Sequence, residues 1–380
     1  MSPIKSTAFG YSSSSSDKVE TDNNIAGIGA TYTTSNVSEP GNGYRYLFFT
    51  SPGVLTVNRG GNVDVAVIAG GGSGGGGGYY PPSTFEMSGG GGGAGGVYQD
   101  FNFPLPIGEY DITVGNGGGT AGSNPQSTPG INRMGNPGEP SSIIGPGISS
   151  ITAVGGGAGG GSYELSPGGT DYLGWFGDDG GSGGGNGHTG NTYASIGRPQ
   201  AAGVGAGNAL IQRGPTSNPY TVNPIPASAI YNPNAPTTVQ GHPGGADPTS
   251  TAIASGGGGA GGAGGSNGGN YVYGGHGVTL WTNDPGIPPS YGTAEPTVGP
   301  GRWFAGGGGG GSPSISAVQN GGAGGGGNGM DYNPPDPRRL QDDPTVSGVV
   351  NTGGGGGGGN STVSGAAGGS GIVIIRYRIS

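Results

Sequence analysis

The stretch VDVAVIAGGGSGGGGG, residues 63–78, joins the two kinds of sequence that recur along this chain. Its first half alternates the β-branched residues Val63, Val65 and Val67 with smaller or polar residues, which is typical of a half-buried β-strand. Its second half is almost pure glycine, with Ser73 as the one larger guest. The stretch therefore predicts a β-strand that runs directly into a backbone element with no room for side chains.

Glycine blocks of this kind occur nine times, and their guests are almost entirely Ala, Ser and Asn. A flexible linker would tolerate large side chains as well. The extended polyproline II helix has three residues per turn, and where such chains crowd together only glycine fits. We predict that the blocks pack as polyglycine II helices that exchange backbone hydrogen bonds, with loops collected at the two ends of the bundle. The blocks are residues 70–78, 89–96, 155–161, 180–187, 256–269, 306–311, 321–329, 353–359 and 365–371.

The composition argues against several classes of protein. With 101 Gly, 32 Pro and 30% hydrophobic residues among 380, an enzyme with a conventional core is not expected. Charged residues make up only 9%, which argues against a disordered chain, and the net charge of −9 argues against nucleic acid. The lack of cysteine excludes disulfides and thiolate metal sites. We expect neither a signal peptide nor membrane insertion, because no apolar run approaches the ~20 residues of a membrane span.

Strand patterns bracket the glycine blocks, over residues 44–69, 96–114 and 371–379. Pairing the early strands with the last one would return the chain on itself. No window has helical periodicity without Gly or Pro, so we predict essentially no α-helix. In the last strand, Val373, Ile375, Tyr377 and Ile379 face one way and Arg376 and Arg378 the other.

These patterns predict an all-β-like fold, in which N- and C-terminal strands form a small β-sandwich and the glycine blocks form a polyglycine II bundle. Residues 44–380 would make up this glycine-rich domain. Residues 1–43 are polar and contain a serine run. They are either a loose tail or an attachment segment that docks on a neighbouring protein, and we favour attachment.

Motifs for catalysis and metal binding are weak. The pattern G-x-S-x-G surrounds Ser73 and Ser182, but a catalytic serine of this type needs a strand-to-helix turn and an acid–histidine pair. We interpret both serines as small guests in glycine blocks. The remaining candidates lack metal-ligand spacing, so we expect no enzyme activity, no cofactor and no bound metal. These candidates are His188, His242 and His276, with the acid pairs Asp178-Asp179 and Asp342-Asp343.

Aromatic residues concentrate between the glycine blocks. Tyrosine provides rigid, amphipathic contact area, and loops on a stiff scaffold commonly carry recognition. The same rings could instead seal the edges of the bundle, and the sequence leaves both roles open. The long proline-rich segment 215–248 favours display. The candidate receptor-binding residues are Tyr79, Tyr80, Phe85, Tyr172, Trp175, Phe176, Tyr220, Tyr231, Trp281, Tyr291, Trp303 and Phe304.

Three stretches resemble the glycine-rich domains of bacteriophage tail fibres and adhesins. Residues 48–72, from Phe-Phe through Ser-Pro-Gly to Ala-Gly-Gly-Gly, look like the opening of such domains. Residues 108–115 are similar to the mid-domain strand, and residues 368–377, GGSGIVIIRY, resemble the C-terminal signature. The resemblance covers residues 44–380 and implies a polyglycine II sandwich with variable distal loops that determine receptor choice. No coiled coil or shaft precedes residue 44, which leaves a homotrimer open.

We therefore expect a non-enzymatic virion protein, in a tail fibre or another surface appendage. Residues 1–43 would bind other virion proteins, and the loops would contact a bacterial surface glycan or an outer-membrane protein. The alternative is an architectural decoration or connector protein of the capsid, neck or tail, whose loops pack against neighbours. An ice-binding or matrix protein is less favoured, because an ice-binding bundle would need a regular flat face and a glycine at every third residue, and the long irregular loops lack both.

Overall fold

The fold is seen in a computed structural model. It describes residues 29–32, 35–77, 88–121, 133–164, 172–174, 177–187, 240–245, 253–265, 272–281, 283–312, 319–331, 345–360 and 363–379.

β-Strands are the regular secondary structure of these described residues, and no α-helix occurs among them, as the sequence predicts. The strands are β1 Gly29–Tyr32, β2 Ser35–Ser38, β3 Tyr44–Phe49, β4 Gly53–Arg59, β5 Gly61–Ile68, β6 Val97–Leu105, β7 Gly108–Thr113, β8 Ser141–Ile144, β9 Ile151–Ala153, β10 Ser162–Glu164, β11 Tyr172–Gly174, β12 Val278–Thr279, β13 Thr293–Ala294, β14 Arg302–Phe304 and β15 Ile372–Arg378.

Two five-stranded antiparallel sheets form the sandwich. The first sheet has the order β2-β3-β15-β5-β6, and the second has the order β1-β4-β7-β8-β9. The last strand, β15, lies in the centre of the first sheet, where Val373 is opposite both Phe49 of β3 and Val67 of β5. The predicted pairing of the early and late strands is therefore confirmed.

The inner faces of the two sheets enclose an apolar core. Val63, Val65 and Val67 of β5 point into it, as their alternation predicts. Each such buried side chain contributes about 1.5–3 kcal/mol relative to an exposed one. The other large members of this core are Leu47, Phe49, Leu55, Val57, Tyr98, Leu105, Tyr110, Ile112, Ile143, Ile151, Val373, Ile375 and Tyr377.

The first sheet is buried on its other face as well. An insert, residues 278–304, covers that face with a small three-stranded sheet of order β12-β14-β13. Phe48, Ile372 and Ile374 pack against the insert. Burial on both faces explains why residues 372–375 are a continuous apolar run rather than an alternating one.

The glycine blocks form a bundle of extended, three-fold tracts around a central tract, residues 89–96. Successive N–H groups of this tract turn to different neighbours, and every third N–H returns to the same neighbour, as a helix with three residues per turn requires. Gly89, Gly92 and Gly95 donate to Gly359, Gly356 and Gly353; Gly90, Gly93 and Gly96 donate to Gly160, Gly157 and Val154; Gly91 and Ala94 donate to Ser255 and Gly258.

The carbonyl groups of the central tract accept hydrogen bonds from three further tracts, within residues 69–75, 182–185 and 308–311. Six tracts therefore surround the central one, and all eight of its N–H groups and seven of its eight carbonyl groups form backbone hydrogen bonds without side chains. A Cβ atom on Gly92 would lie inside 3.0 Å of the carbonyl of Gly72. This spacing is the polyglycine II packing that the small guests predict.

The sandwich begins before residue 44, because β1 and β2 are the first strands of the second and first sheets. Residues 35–38 pair with β3, and residues 29–32 pair with β4. The attachment role predicted for residues 1–43 stays a prediction, and residues 1–28 of that segment lie outside the described residues.

Candidate functional site

One end of the bundle, called here the near end, is continuous with the sandwich. β5 ends at Ile68, and the tract that follows begins at Ala69, which donates a backbone hydrogen bond to Gly96 immediately before β6. Gly371 immediately precedes β15. The sandwich strands therefore fix the starting positions of several tracts, so that the sandwich and the bundle share a continuous backbone network.

Tight turns connect tracts at the near end. Such turns lie at residues 180–182, 260–262, 323–325 and 351–353. Gly324 has a φ of 102° and Gly325 a φ of 90°, which is backbone that only glycine adopts without strain. We expected loops at both ends of the bundle. The described part of the near end instead carries short turns, the sandwich and the insert.

The opposite, far end of the bundle is defined by hydrogen bonds between the last residues of the tracts. Gly76 donates to Arg133 O at 2.7 Å, Ser162 donates to Gly76 O at 3.2 Å, and Ser88 forms a bridge with Asn360. Some segments outside the described residues are flanked on both sides by residues at this end. They are residues 78–87, 122–132, 165–171, 246–252, 266–271, 313–318, 332–344 and 361–362.

Polar side chains lie among the tract ends at the far end. The guanidinium of Arg133 donates from Nη1 to Gly77 O at 3.2 Å and to Ser162 O at 3.4 Å. The hydroxyls of Ser88, Ser162 and Ser364 are buried nearby without a hydrogen-bond partner. Arg133 therefore ties three tracts together at the far end. Nothing in its sequence context distinguished it beforehand.

Three of the predicted receptor-binding aromatics are buried. Trp281, Tyr291 and Phe304 lie in the insert and pack on the first sheet, and the rings of Phe48 and Tyr291 stack with centroids 4.1 Å apart. They cover the second apolar face of the first sheet, a role that the sequence did not reveal. Their rings therefore have little exposed area to offer a receptor.

The other predicted aromatics fall in different places. Trp303 is partly buried, and its indole Nε1 donates to Gly299 O at 3.3 Å. Tyr172 lies in β11, the strand that pairs with β10 at the far end. Tyr79, Tyr80, Phe85, Trp175, Phe176, Tyr220 and Tyr231 lie outside the described residues.

A buried ionic cluster fixes the insert to the first sheet. Arg376 of β15 forms ion pairs with Asp64 of β5, at 2.8 Å, and with Asp284 of the insert. The guanidinium also lies over the rings of Trp281 and Tyr44, with its Cζ 4.4 and 4.7 Å from the ring centroids. Such cation–π contacts stabilise by about 0.5–2 kcal/mol each. The sequence predicted the face of Arg376 but not its partners.

The hydroxyl of Tyr46 belongs to the same cluster. It donates to Asp284 Oδ2 at 2.8 Å and accepts from Asn42 Nδ2 at 2.8 Å. Burial, helped by the charge of Asp284, raises the pKa of Tyr46 to about 12. Burial by itself would lower the pKa of Arg376, but Asp64 and Asp284 outweigh that effect and raise it, so the guanidinium stays charged.

The serines of the G-x-S-x-G patterns and His276 are held by the packing and hydrogen bonds of the tracts. Ser73 and Ser182 are fully buried in tracts, and the Ser73 hydroxyl accepts a hydrogen bond from Asn136 N at 2.7 Å. His276 Nδ1 accepts from Ala323 N at 3.1 Å. Within the described residues, no three His, Asp or Glu side chains form a group that could hold a metal ion. In the same part of the chain, no helix is long and apolar enough to cross a bilayer.

Comparison with known families matches residues 203–378 to a family described as a glycine-rich domain. The match covers somewhat less than half of the chain and ends in β15. It supports a glycine-rich domain family for this chain, in agreement with the tracts described above. A comparison with curated proteins finds no match.

Proposed function

We propose that this chain is a non-enzymatic virion protein, a fibre or adhesin that displays recognition loops on a rigid glycine bundle. The observation that carries the proposal is that the two ends of the bundle differ. The first described strand, β1, belongs to the sandwich, whereas the segments that contain Tyr79, Tyr80 and Phe85 adjoin the far end. Attachment through the N-terminal segment and contact with a bacterial surface would then occur at opposite ends of the protein.

Rigidity at the far end supports this role. A binding loop loses affinity when it has to become ordered on contact with its partner. A platform that fixes both ends of each loop reduces this entropy cost. Backbone hydrogen bonds and the Arg133 guanidinium fix the tract ends at Gly77 and Ser162. The loops can therefore vary in sequence without disturbing the glycine tracts that carry them.

The burial of Trp281, Tyr291 and Phe304 favours a second candidate function. These rings show that aromatics between the tracts of this chain can serve packing alone. An architectural decoration or connector protein would use the remaining aromatics in the same way, against neighbouring virion proteins. The two functions differ in whether the far end is exposed on the particle, which imaging of an intact virion would resolve.

Adsorption competition tests the adhesin function. We expect excess purified chain to reduce virus adsorption to host cells, and the double variant Tyr79→Ser with Tyr80→Ser to compete less well. The matched control is Phe101→Ser, at an aromatic residue that is 49% exposed on β6 of the sandwich. Lack of competition by the wild-type chain, or equal competition by the loop variant, would argue for the architectural function.

A further inference from the structure

One asparagine–glycine pair lies in an exposed turn immediately before β3. Asn42 is exposed, and its neighbours Gly41 and Gly43 have φ angles of 85° and 82°, which glycine adopts without strain. Within the described part of the chain, Gly43 N donates no hydrogen bond. An exposed side-chain amide is therefore followed by an unbonded backbone nitrogen in a residue that has no side chain to shield it.

An asparagine in such a turn can lose its amide by ring closure. The backbone nitrogen of the next residue attacks the side-chain Cγ and forms a cyclic succinimide, and the amide nitrogen leaves as ammonia together with the backbone proton. Water then opens the ring at either carbonyl, which yields aspartate or isoaspartate. Asparagine is a thermolabile residue, and a following glycine hinders the attack least because it has no side chain. The reaction needs water and no other reactant.

The other described asparagine–glycine pairs are held by the bundle. In the pairs that begin at Asn320 and Asn328, the glycine nitrogens already donate hydrogen bonds, at 2.9 and 2.7 Å. Asn186 is only 1% exposed. Asn116 is exposed, but a Cβ atom on Gly117 would lie inside 3.0 Å of a backbone carbonyl, so the chain after Asn116 is packed in a tract. Ring closure there would require the packed backbone to turn.

The side chain of Asn42 also belongs to the anchor of the insert. Its Nδ2 donates to the Tyr46 hydroxyl at 2.8 Å, and that hydroxyl donates to Asp284 Oδ2 at 2.8 Å. A Cβ atom on Gly286 of the insert would lie inside 3.0 Å of Asn42 Nδ2, so the amide packs directly on the insert. An ionised carboxylate in place of this amide could not donate to the Tyr46 hydroxyl and would add a negative charge near Asp284.

We propose that Asn42 is a site of spontaneous deamidation, and that its conversion weakens the contact between the insert and the first sheet. Aspartate removes one hydrogen bond from the Tyr46 hydroxyl and sets its charge against that of Asp284. Isoaspartate in addition lengthens the backbone in the turn that leads into β3. Because the reaction needs only the chain and water, the extent of the change increases with the age of the protein. The inference does not depend on the adhesin function.

Peptide mapping by mass spectrometry of the full chain, aged at mildly alkaline pH, tests the site. Conversion appears as replacement of NH2 by OH, localised by fragmentation of the peptide. We expect Asn42 to convert at least roughly tenfold faster than Asn116, because a barrier raised by one or two lost backbone hydrogen bonds slows a reaction by about that factor. No conversion at Asn42, or equal rates at the two residues, would overturn the proposal.

Urea unfolding followed by tryptophan fluorescence tests the consequence for the insert. Trp281 and Trp303 lie in the insert, so their emission reports its detachment. We expect a lower unfolding midpoint for aged wild type and for Asn42→Asp than for fresh wild type. Asn42→Gln keeps a side-chain amide but closes its larger ring much more slowly, so its midpoint should not change with ageing.

The matched control for the added charge is Asn58→Asp, the same exchange at an exposed position of β4 in the second sheet. It should leave the midpoint close to that of fresh wild type. An aged wild type that has converted at Asn42 but keeps its midpoint would contradict the proposed weakening. Equal losses for Asn42→Asp and Asn58→Asp would do the same, since the charge would then act without the Tyr46 and Asp284 contacts.

Discussion

The side-chain amide of Gln240 pairs with the backbone of Val154 as a neighbouring strand would. Val154 N donates to Gln240 Oε1 at 2.9 Å, and Gln240 Nε2 donates to Thr152 O at 3.1 Å. The backbone carbonyl of Gln240 accepts from Val97 N at 3.1 Å. One residue therefore closes an edge of both sheets, where β6 and β9 would otherwise present unpaired backbone groups.

Replacing this amide should weaken the sandwich. In Gln240→Glu, the carboxylate cannot donate to Thr152 O and sets a negative charge beside that carbonyl, so we expect a loss of about 1–3 kcal/mol in the free energy of unfolding. Urea unfolding followed by circular dichroism measures the change. The control is Asn58→Asp, the same type of change at an exposed position of β4. Equal stability of Gln240→Glu and wild type would show that the amide does not close the edge.

Two adjacent glycines test the packing of the bundle. A Cβ atom on Gly75 would lie inside 3.0 Å of the carbonyl of Gly160, whereas the nearest atom to a Cβ on Gly76 would be Arg133 O at 3.6 Å. We expect Gly75→Ala to destabilise the fold by about 1–3 kcal/mol, as overpacking does. Gly76→Ala should be neutral or stabilising by about 0.4–1 kcal/mol, because alanine restricts the unfolded chain.

Thermal and urea unfolding of both alanine variants provide the comparison. The two sites share one tract, and neither has a positive φ, so backbone strain does not separate them. If both variants lose the same stability, close approach of backbones is not what excludes side chains from the tracts.

Elements that are marked by a short local pattern could be predicted from the sequence. The alternation of Val63, Val65 and Val67 identified β5 and its inward face, and small guests such as Ser73 identified the tracts as closely packed backbone. Arg376 was placed on the correct face of β15 by the same period of two.

The arrangement of the tracts could not be predicted, because glycine blocks are nearly identical and any block can hydrogen-bond with any other. The same limit applies to Gln240 and to the pairing of Arg376 with Asp284, which depend on contacts between distant parts of the chain. Trp281, Tyr291 and Phe304 were candidates for receptor binding because they lie between glycine blocks. Their position is decided instead by packing on the second apolar face of the first sheet.

The ionic cluster predicts different effects for two arginines of one strand. Arg376→Met leaves the buried Asp284 and the partly buried Asp64 without their cation, so we expect a loss of about 3–5 kcal/mol in the free energy of unfolding. Arg378→Met, two residues along the same face, should change stability little because Arg378 is exposed. Urea unfolding measures both changes. Similar losses for the two variants would contradict the assignment of the cluster as the anchor of the insert.

The hydroxyl of Tyr46 predicts how this anchor responds to alkaline pH. Folding raises its pKa from 10.0 to about 12, so the protonated hydroxyl contributes stability that is complete below pH 10 and is lost as the pH rises through 12. The shift corresponds to about 2–3 kcal/mol. Between about pH 9 and about pH 11.5, wild type should therefore lose more unfolding free energy than Tyr46→Phe, which has no proton to release at this position. Parallel losses in urea titrations of the two proteins would mean that Tyr46 does not link the insert to pH.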